Sequence, residues 1–139
     1  MKTIFAMLAA FCLFSCGKNN DKKNDGNWDP MVWETEVAGQ IANNQQNISA
    51  TGAEIIFFCR NYSSPWISSA ESNGEYYYPP VEANDHRSLT LDWFKAEING
   101  NKLTVVIEAN NTGEGRSIKL DVTAGDIFYT FVFNQSADI

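Results

Sequence analysis

The sequence predicts an all-β, antiparallel fold, and three observations in its last third carry that prediction. Residues 99–135 read NGNKLTVVIEANNTGEGRSIKLDVTAGDIFYTFVFNQ. Leu103, Val105, Ile107 and Ala109 fall at every second position, as do Ile118, Leu120 and Val122. A period of two sends successive side chains to opposite faces of a sheet. A third run, 128–133, is almost continuously apolar, with Tyr129, Phe131 and Phe133 on one parity. Between the runs lie NNTGEG and TAGD, whose Asn, Asp and Gly residues tolerate positive φ. The expectation is a three-stranded antiparallel meander.

The same stretch carries a family resemblance. Asn110, Thr112, Gly113 and Arg116 form an Asn-x-Thr-Gly-x-x-Arg turn, followed by an alternating strand and a last strand ending in Phe133-Asn134-Gln135. Together with Trp66 and Trp93 upstream, this resembles the BACON family. The resemblance covers about the last 50 residues closely and the part before them loosely, with an insertion between the two tryptophans. It implies an immunoglobulin-like antiparallel β-sandwich, of about seven to eight strands here. BACON domains belong to gut Bacteroidetes and are often attached to carbohydrate-active enzymes, and carbohydrate binding was proposed for the family from that company. The resemblance brings no sugar-contacting residues with it. The turn residues themselves are read as fold: glycine for the turn, Arg116 for a salt bridge or for backbone carbonyls.

From the start of the chain, residues 1–16 read as a targeting segment. Met1-Lys2 is a short positive region, and residues 3–14 form a mostly apolar run of twelve. That is too short for a bilayer, which takes about 20 helical residues. The run ends in Leu13-Phe14-Ser15-Cys16, which resembles a lipobox with Phe14 bulkier than usual. A charged start and a short apolar run argue secretion, and the cysteine at their end argues lipidation of Cys16. Each buried CH₂ of an acyl chain adds about 0.8 kcal/mol of membrane affinity, so several chains anchor firmly. The expected location is the cell envelope, at the outer membrane, with the membrane touched through the lipid alone. Residues 17–27 (GKNNDKKNDGN) hold no large apolar side chain and read as a flexible tether.

The remainder, 28–139, is one domain, long enough to bury well over half of its unfolded surface. It holds a single cysteine, Cys59, so no internal disulfide forms and packing alone holds the sandwich. Cys59 reads as a small buried apolar residue. From Trp28 onward there are 15 acids and 6 bases, a net of −9. That field repels phosphate backbones and excludes nucleic acid as a partner, while suiting neutral ligands.

Residues 32–38 (VWETEVA) alternate and read as the first strand. Residues 39–47 read as a polar loop or ragged edge, and 48–52 as a short strand and turn. Residues 54–60 (EIIFFCR) are apolar on both parities, the mark of a central strand with its outer face covered. After a turn at 62–65, strands follow at 66–70, 89–92 and 93–98. Between them, residues 71–88 (ESNGEYYYPPVEANDHRS) read as a long loop with room for a short edge hairpin. Pro79-Pro80 blocks ladder hydrogen bonds there. Loops of this length in small domains are functional or mobile.

Catalytic chemistry is poorly supported, and no cofactor motif is present. The chain lacks Gly-x-Ser-x-Gly, His-Glu-x-x-His and a phosphate loop. A lone His86 beside Asp85 reads as solvated rather than as part of a triad. Glu34 and Glu36, on one strand face about 6.6 Å apart, resemble a retaining-glycosidase spacing, but such pairs occur on any solvated strand. Glu82, Asp85, Asp92 and Asp126 follow no calcium-loop pattern.

Aromatic residues are the better lead, because flat rings stack on the C–H faces of sugars while polar neighbours satisfy the hydroxyls. Trp33, Trp66 and Trp93 read as sandwich core. Tyr76, Tyr77 and Tyr78 cannot all point inward if extended, since side chains alternate. With His86 and Arg87 among their polar neighbours, they form the candidate binding residues. The competing reading has the tyrosines capping a sheet edge or covering Ile56 and Phe58. Two functions follow: a lipid-anchored, non-catalytic glycan-binding module, or a structural spacer or protein-interaction module without a sugar ligand.

Overall fold

The computed structural model describes residues 28–82 and 86–137. The leader and tether at 1–27, with Cys16, lie outside the described residues, as do Asn84 and Asp85. Ten strands follow in order among the described residues: β1 (Trp33–Glu34), β2 (Gln45–Ile48), β3 (Ala53–Cys59), β4 (Trp66–Ser72), β5 (Glu75–Tyr77), β6 (Ser88–Thr90), β7 (Phe94–Asn99), β8 (Lys102–Ile107), β9 (Arg116–Thr123) and β10 (Phe128–Gln135). The count exceeds seven to eight because short edge strands add to it, among them β2 and β5, which lie mostly in stretches that read as loop in the sequence.

The strands form two five-stranded sheets, in the orders β1-β3-β8-β7-β6 and β2-β10-β9-β4-β5. Strands β1, β3, β8 and β7 take the places of A, B, E and D of an immunoglobulin sandwich. Strands β10, β9 and β4 take those of G, F and C, with β5 outside C. The molecule is an immunoglobulin-like β-sandwich. All pairs are antiparallel except β2 with β10, which run parallel.

Three expectations change. The C-terminal meander is not one: β8 pairs with β3 and β7, whereas β9 and β10 pair with each other in the opposite sheet. Alternation shows which side chains face inward, but both sheets turn their inner faces to one core, so it leaves sheet membership open. Residues 108–115 are therefore a crossing between sheets rather than a hairpin turn. The first strand is also shorter than 32–38. After Glu34 the chain folds back, with Thr35 N donating to Gln40 O (2.9 Å) and Gln40 N to Val37 O (3.0 Å). Glu36 thus leaves the strand, while Glu34 pairs with Arg60 at 3.0 Å, and the imagined carboxylate pair does not exist. Finally, no third layer among the described residues covers Ile56 and Phe58. They are half-buried between cross-strand neighbours, with Phe58 opposite Glu34 and Lys102. The tyrosines of 76–78 sit at the other sheet and do not reach that role.

Inward residues of both sheets make one core. At its centre Phe131 of β10 lies 4.6 Å from Phe57 of β3 and 5.3 Å from Trp33 of β1, ring centre to ring centre. These contacts join the sheets, and such aromatic pairs add about 0.5–1.5 kcal/mol beyond burial. Trp33 is core as expected. So is Cys59, whose burial raises the thiol pKa above its ordinary 9.0.

Candidate functional site

Residues 71–77 form a strand pair where the sequence reads as loop. β4 runs on to Ser72, reverses at Asn73-Gly74, and returns as β5. Both turn residues have positive φ, 54° and 83°, as a type I′ hairpin turn requires. Gly74 N donates to the Glu71 carboxylate (2.8 Å), which tightens the reversal. This is the short edge hairpin, and it sets the tyrosines by strand alternation. Tyr76 pairs with Glu71, and Tyr77 with Ala70.

Tyr77 therefore turns inward with Ala70 and packs against the core. Its hydroxyl donates to Glu75 Oε2 (3.3 Å). Burial, then the Glu75 charge, raises its pKa above the ordinary phenol value. Tyr76 lies on the other side, 62% exposed, and Tyr78, just past the end of β5, is 66% exposed. Pro79, directly after them, is buried.

The outer face of this sheet extends the aromatic surface. Across it run Tyr76, Glu71, Lys119, Val132 and Gln45, each opposite the next. Four residues along β9, about 13 Å away, Thr123 is flanked by Trp66 on β4 and Phe128 on β10. Phe128 is 59% exposed and Trp66 half-buried. Trp66 is thus not core. Sequence alternation groups it with Ala70, but a bulge between Ile67 and Ser69 adds one residue to β4 and reverses the parity. Phe128 was hidden from sequence reasoning inside its apolar run.

His86 and Arg87 sit at the chain's crossing between sheets. His86 is exposed with φ 53°, and its carbonyl accepts from Ile67 N (2.8 Å), while the Arg87 carbonyl accepts from Ile98 N (2.8 Å). Arg87 Nη2 donates to Ser64 Oγ (2.8 Å) and Nη1 to Pro65 O (3.4 Å). These bonds bring Arg87 to the start of β4, whereas Tyr76 stands beside its end. Among the described residues no three His, Cys, Asp or Glu side chains gather to hold a metal ion.

Trp93 is half-buried rather than core. The Arg116 guanidinium carbon lies 4.2 Å from its ring centre, and Phe94 meets it edge-on at 6.1 Å. Arg116 is itself held, Nε on Gln135 Oε1 (2.8 Å) and Nη2 on the carbonyls of Glu108 (3.2 Å) and Ala109 (3.1 Å). It is the backbone-carbonyl role expected of it, and burial lowers its pKa.

The fold and the exposed aromatic face define an immunoglobulin-like module. The solved structures narrow this: the chain is 31% identical to a protein from Bacteroides thetaiotaomicron with an NMR structure, over 89% of this chain and 98% of that one, at a TM-score of 0.69. The chain belongs to the same family as that Bacteroides protein. A chimeric titin Z1Z2 carrying an exogenous decorin peptide is 14% identical over 68% of this chain and 86% of its own, at a TM-score of 0.43. No family model and no curated protein matches the chain.

Proposed function

We propose that this protein is a lipid-anchored, BACON-like, non-catalytic module of the cell envelope that binds polysaccharide through the β4–β5 hairpin and the sheet face beside it. One observation supports the reading above the others: Tyr76 and Tyr78 are both largely exposed at the end of a sheet face that also carries Trp66 and Phe128. Four aromatic side chains around Glu71, Lys119, Asp121 and Thr130 offer rings for sugar faces and polar groups for hydroxyls. The net charge of −9 from Trp28 onward favours an uncharged glycan over an acidic one.

The test is depletion of the full-length protein, in mild detergent, by insoluble plant and host polysaccharides. The expected result is retention on at least one, weakened about tenfold or more by Tyr76→Ala/Tyr78→Ala, since stacked rings contribute about 1–3 kcal/mol each in comparable stacking sites. A folded protein retained by none of them supports the spacer or protein-interaction reading instead. The anchor has a separate test. Cys16→Ser is expected to move the protein from the membrane fraction to the soluble one, and unchanged membrane association of that variant rules the lipid at Cys16 out.

A further inference from the structure

Where β5 and β6 form adjacent edges of the two sheets, the sandwich is open at its side. A cleft of about 310 Å³ lies there, lined by Tyr77, Thr90, Leu91, Asp92 and Trp93. Tyr77 enters from β5 on the face opposite the exposed Tyr76, so this is a different surface. The other four residues form the tip of the β6–β7 hairpin, closed by Leu91 N donating to Phe94 O (2.7 Å).

Two features make the cleft more than a gap. Its aromatic walls are held from behind. Trp93 rests on Arg116, which three acceptors fix, and one of these is the buried Gln135. Tyr77 is tied to Glu75 through its hydroxyl. The polar groups, by contrast, are uncommitted. No hydrogen bond or ion pair within the described residues engages the Thr90 or Asp92 side chain, and both residues are exposed. Aromatic walls with a few convergent polar groups are the makings of a small-molecule site.

We infer that this cleft is a second carbohydrate subsite that takes one uncharged pyranose ring. Trp93 and Tyr77 meet the C–H faces of the ring. The Asp92 carboxylate accepts from sugar hydroxyls, in charge-assisted bonds stronger than neutral ones, and the Thr90 hydroxyl accepts or donates as the ring requires. The volume lies at the small end of ligand pockets, which suits a single ring rather than a chain. Asp92 and Glu75 give the cleft a negative field, which turns away uronic acids. The inference rests on the carbohydrate reading above but uses different residues.

The experiment is a titration of ¹⁵N-labelled full-length protein in detergent micelles, following the Trp93 indole N–H resonance, assigned with Trp93→Phe. The probes are the methyl pyranosides of glucose, galactose, mannose and xylose, with glucuronate as the anionic control. At least one neutral glycoside is expected to shift the resonance saturably, with glucuronate about tenfold weaker or worse. Asp92→Asn, at an exposed hairpin tip, is expected to weaken the neutral sugar about tenfold and to reduce the discrimination against glucuronate. The Tyr76→Ala/Tyr78→Ala variant should titrate like the parent. A Trp93 resonance that no neutral glycoside moves overturns the subsite, as does an Asp92→Asn variant that binds like the parent. If the resonance stays still while the tyrosine variant still loses polysaccharide, the cleft falls and the exposed face stands. If it shifts while the protein retains no polysaccharide, the face falls and the cleft stands.

Discussion

Asn110 shows how much one side chain can organise. It is fully buried at the crossing between β8 and β9. Its Nδ2 donates to the carbonyls of Glu114 (2.8 Å) and Ser136 (3.0 Å), and its Oδ1 accepts from Thr112 N (3.1 Å) and Thr112 Oγ1 (2.7 Å). One amide thus satisfies the crossing and ties it to the end of β10. Asn110→Ala removes all four of these bonds at a fully buried side chain, so we expect a loss of about 1–3 kcal/mol, read as a lower urea midpoint. An unchanged midpoint would show that water replaces the amide freely. The Asn-x-Thr-Gly spacing identified this turn as structural from sequence alone, because Asn and Gly there have few other uses. Trp66 was less legible, since an extra residue in β4 reverses its face and no sequence pattern marks that bulge.

At the scale of an element, the β4–β5 hairpin decides whether the tyrosines can act together. Asn-Gly is the strongest short hairpin signal a sequence carries, yet here it sits among glutamates, tyrosines and prolines that read as loop. The strand it returns, Glu75–Tyr77, has only three residues, too few for alternation to stand out. Gly74 has φ 83°, and a Cβ there would meet no atom within 4 Å. Gly74→Ala should therefore cost only the left-handed backbone penalty, about 1–2 kcal/mol. We expect faster hydrogen exchange at the β5 amides and weaker polysaccharide retention, with little change in the amides of β9 and β10. Equal slowing or quickening across the whole sheet would mean that the hairpin is not a local unit.

For the whole molecule, stability has to come from packing between two sheets, since Cys59 is buried and unpaired among the described residues. Phe131 is the central link, touching Trp33 and Phe57 across the core and Tyr129 and Phe133 beside it. Phe131→Ala removes a fully buried ring with neighbours on both sheets, and we expect about 3–5 kcal/mol of destabilisation. Calorimetry should show a large fall in the melting temperature with one cooperative transition. A small shift would mean that the neighbouring rings close the cavity.

The sequence by itself determined the β class, the inward parity of β3, β8, β9 and β10, the structural role of Asn110 and Arg116, and the burial of Trp33 and Cys59. Each of these follows from local chemistry: side-chain alternation, turn residues and apolarity. Only the tertiary structure decided which sheet each strand joins, that β2 runs parallel to β10, and that Trp66 and Phe128 share a face with Tyr76. It also brought Tyr77 to Asp92 and Trp93. These depend on pairings between distant segments and on one inserted residue. Alternation carries no information about either, because any inward-facing strand satisfies it equally well from either sheet.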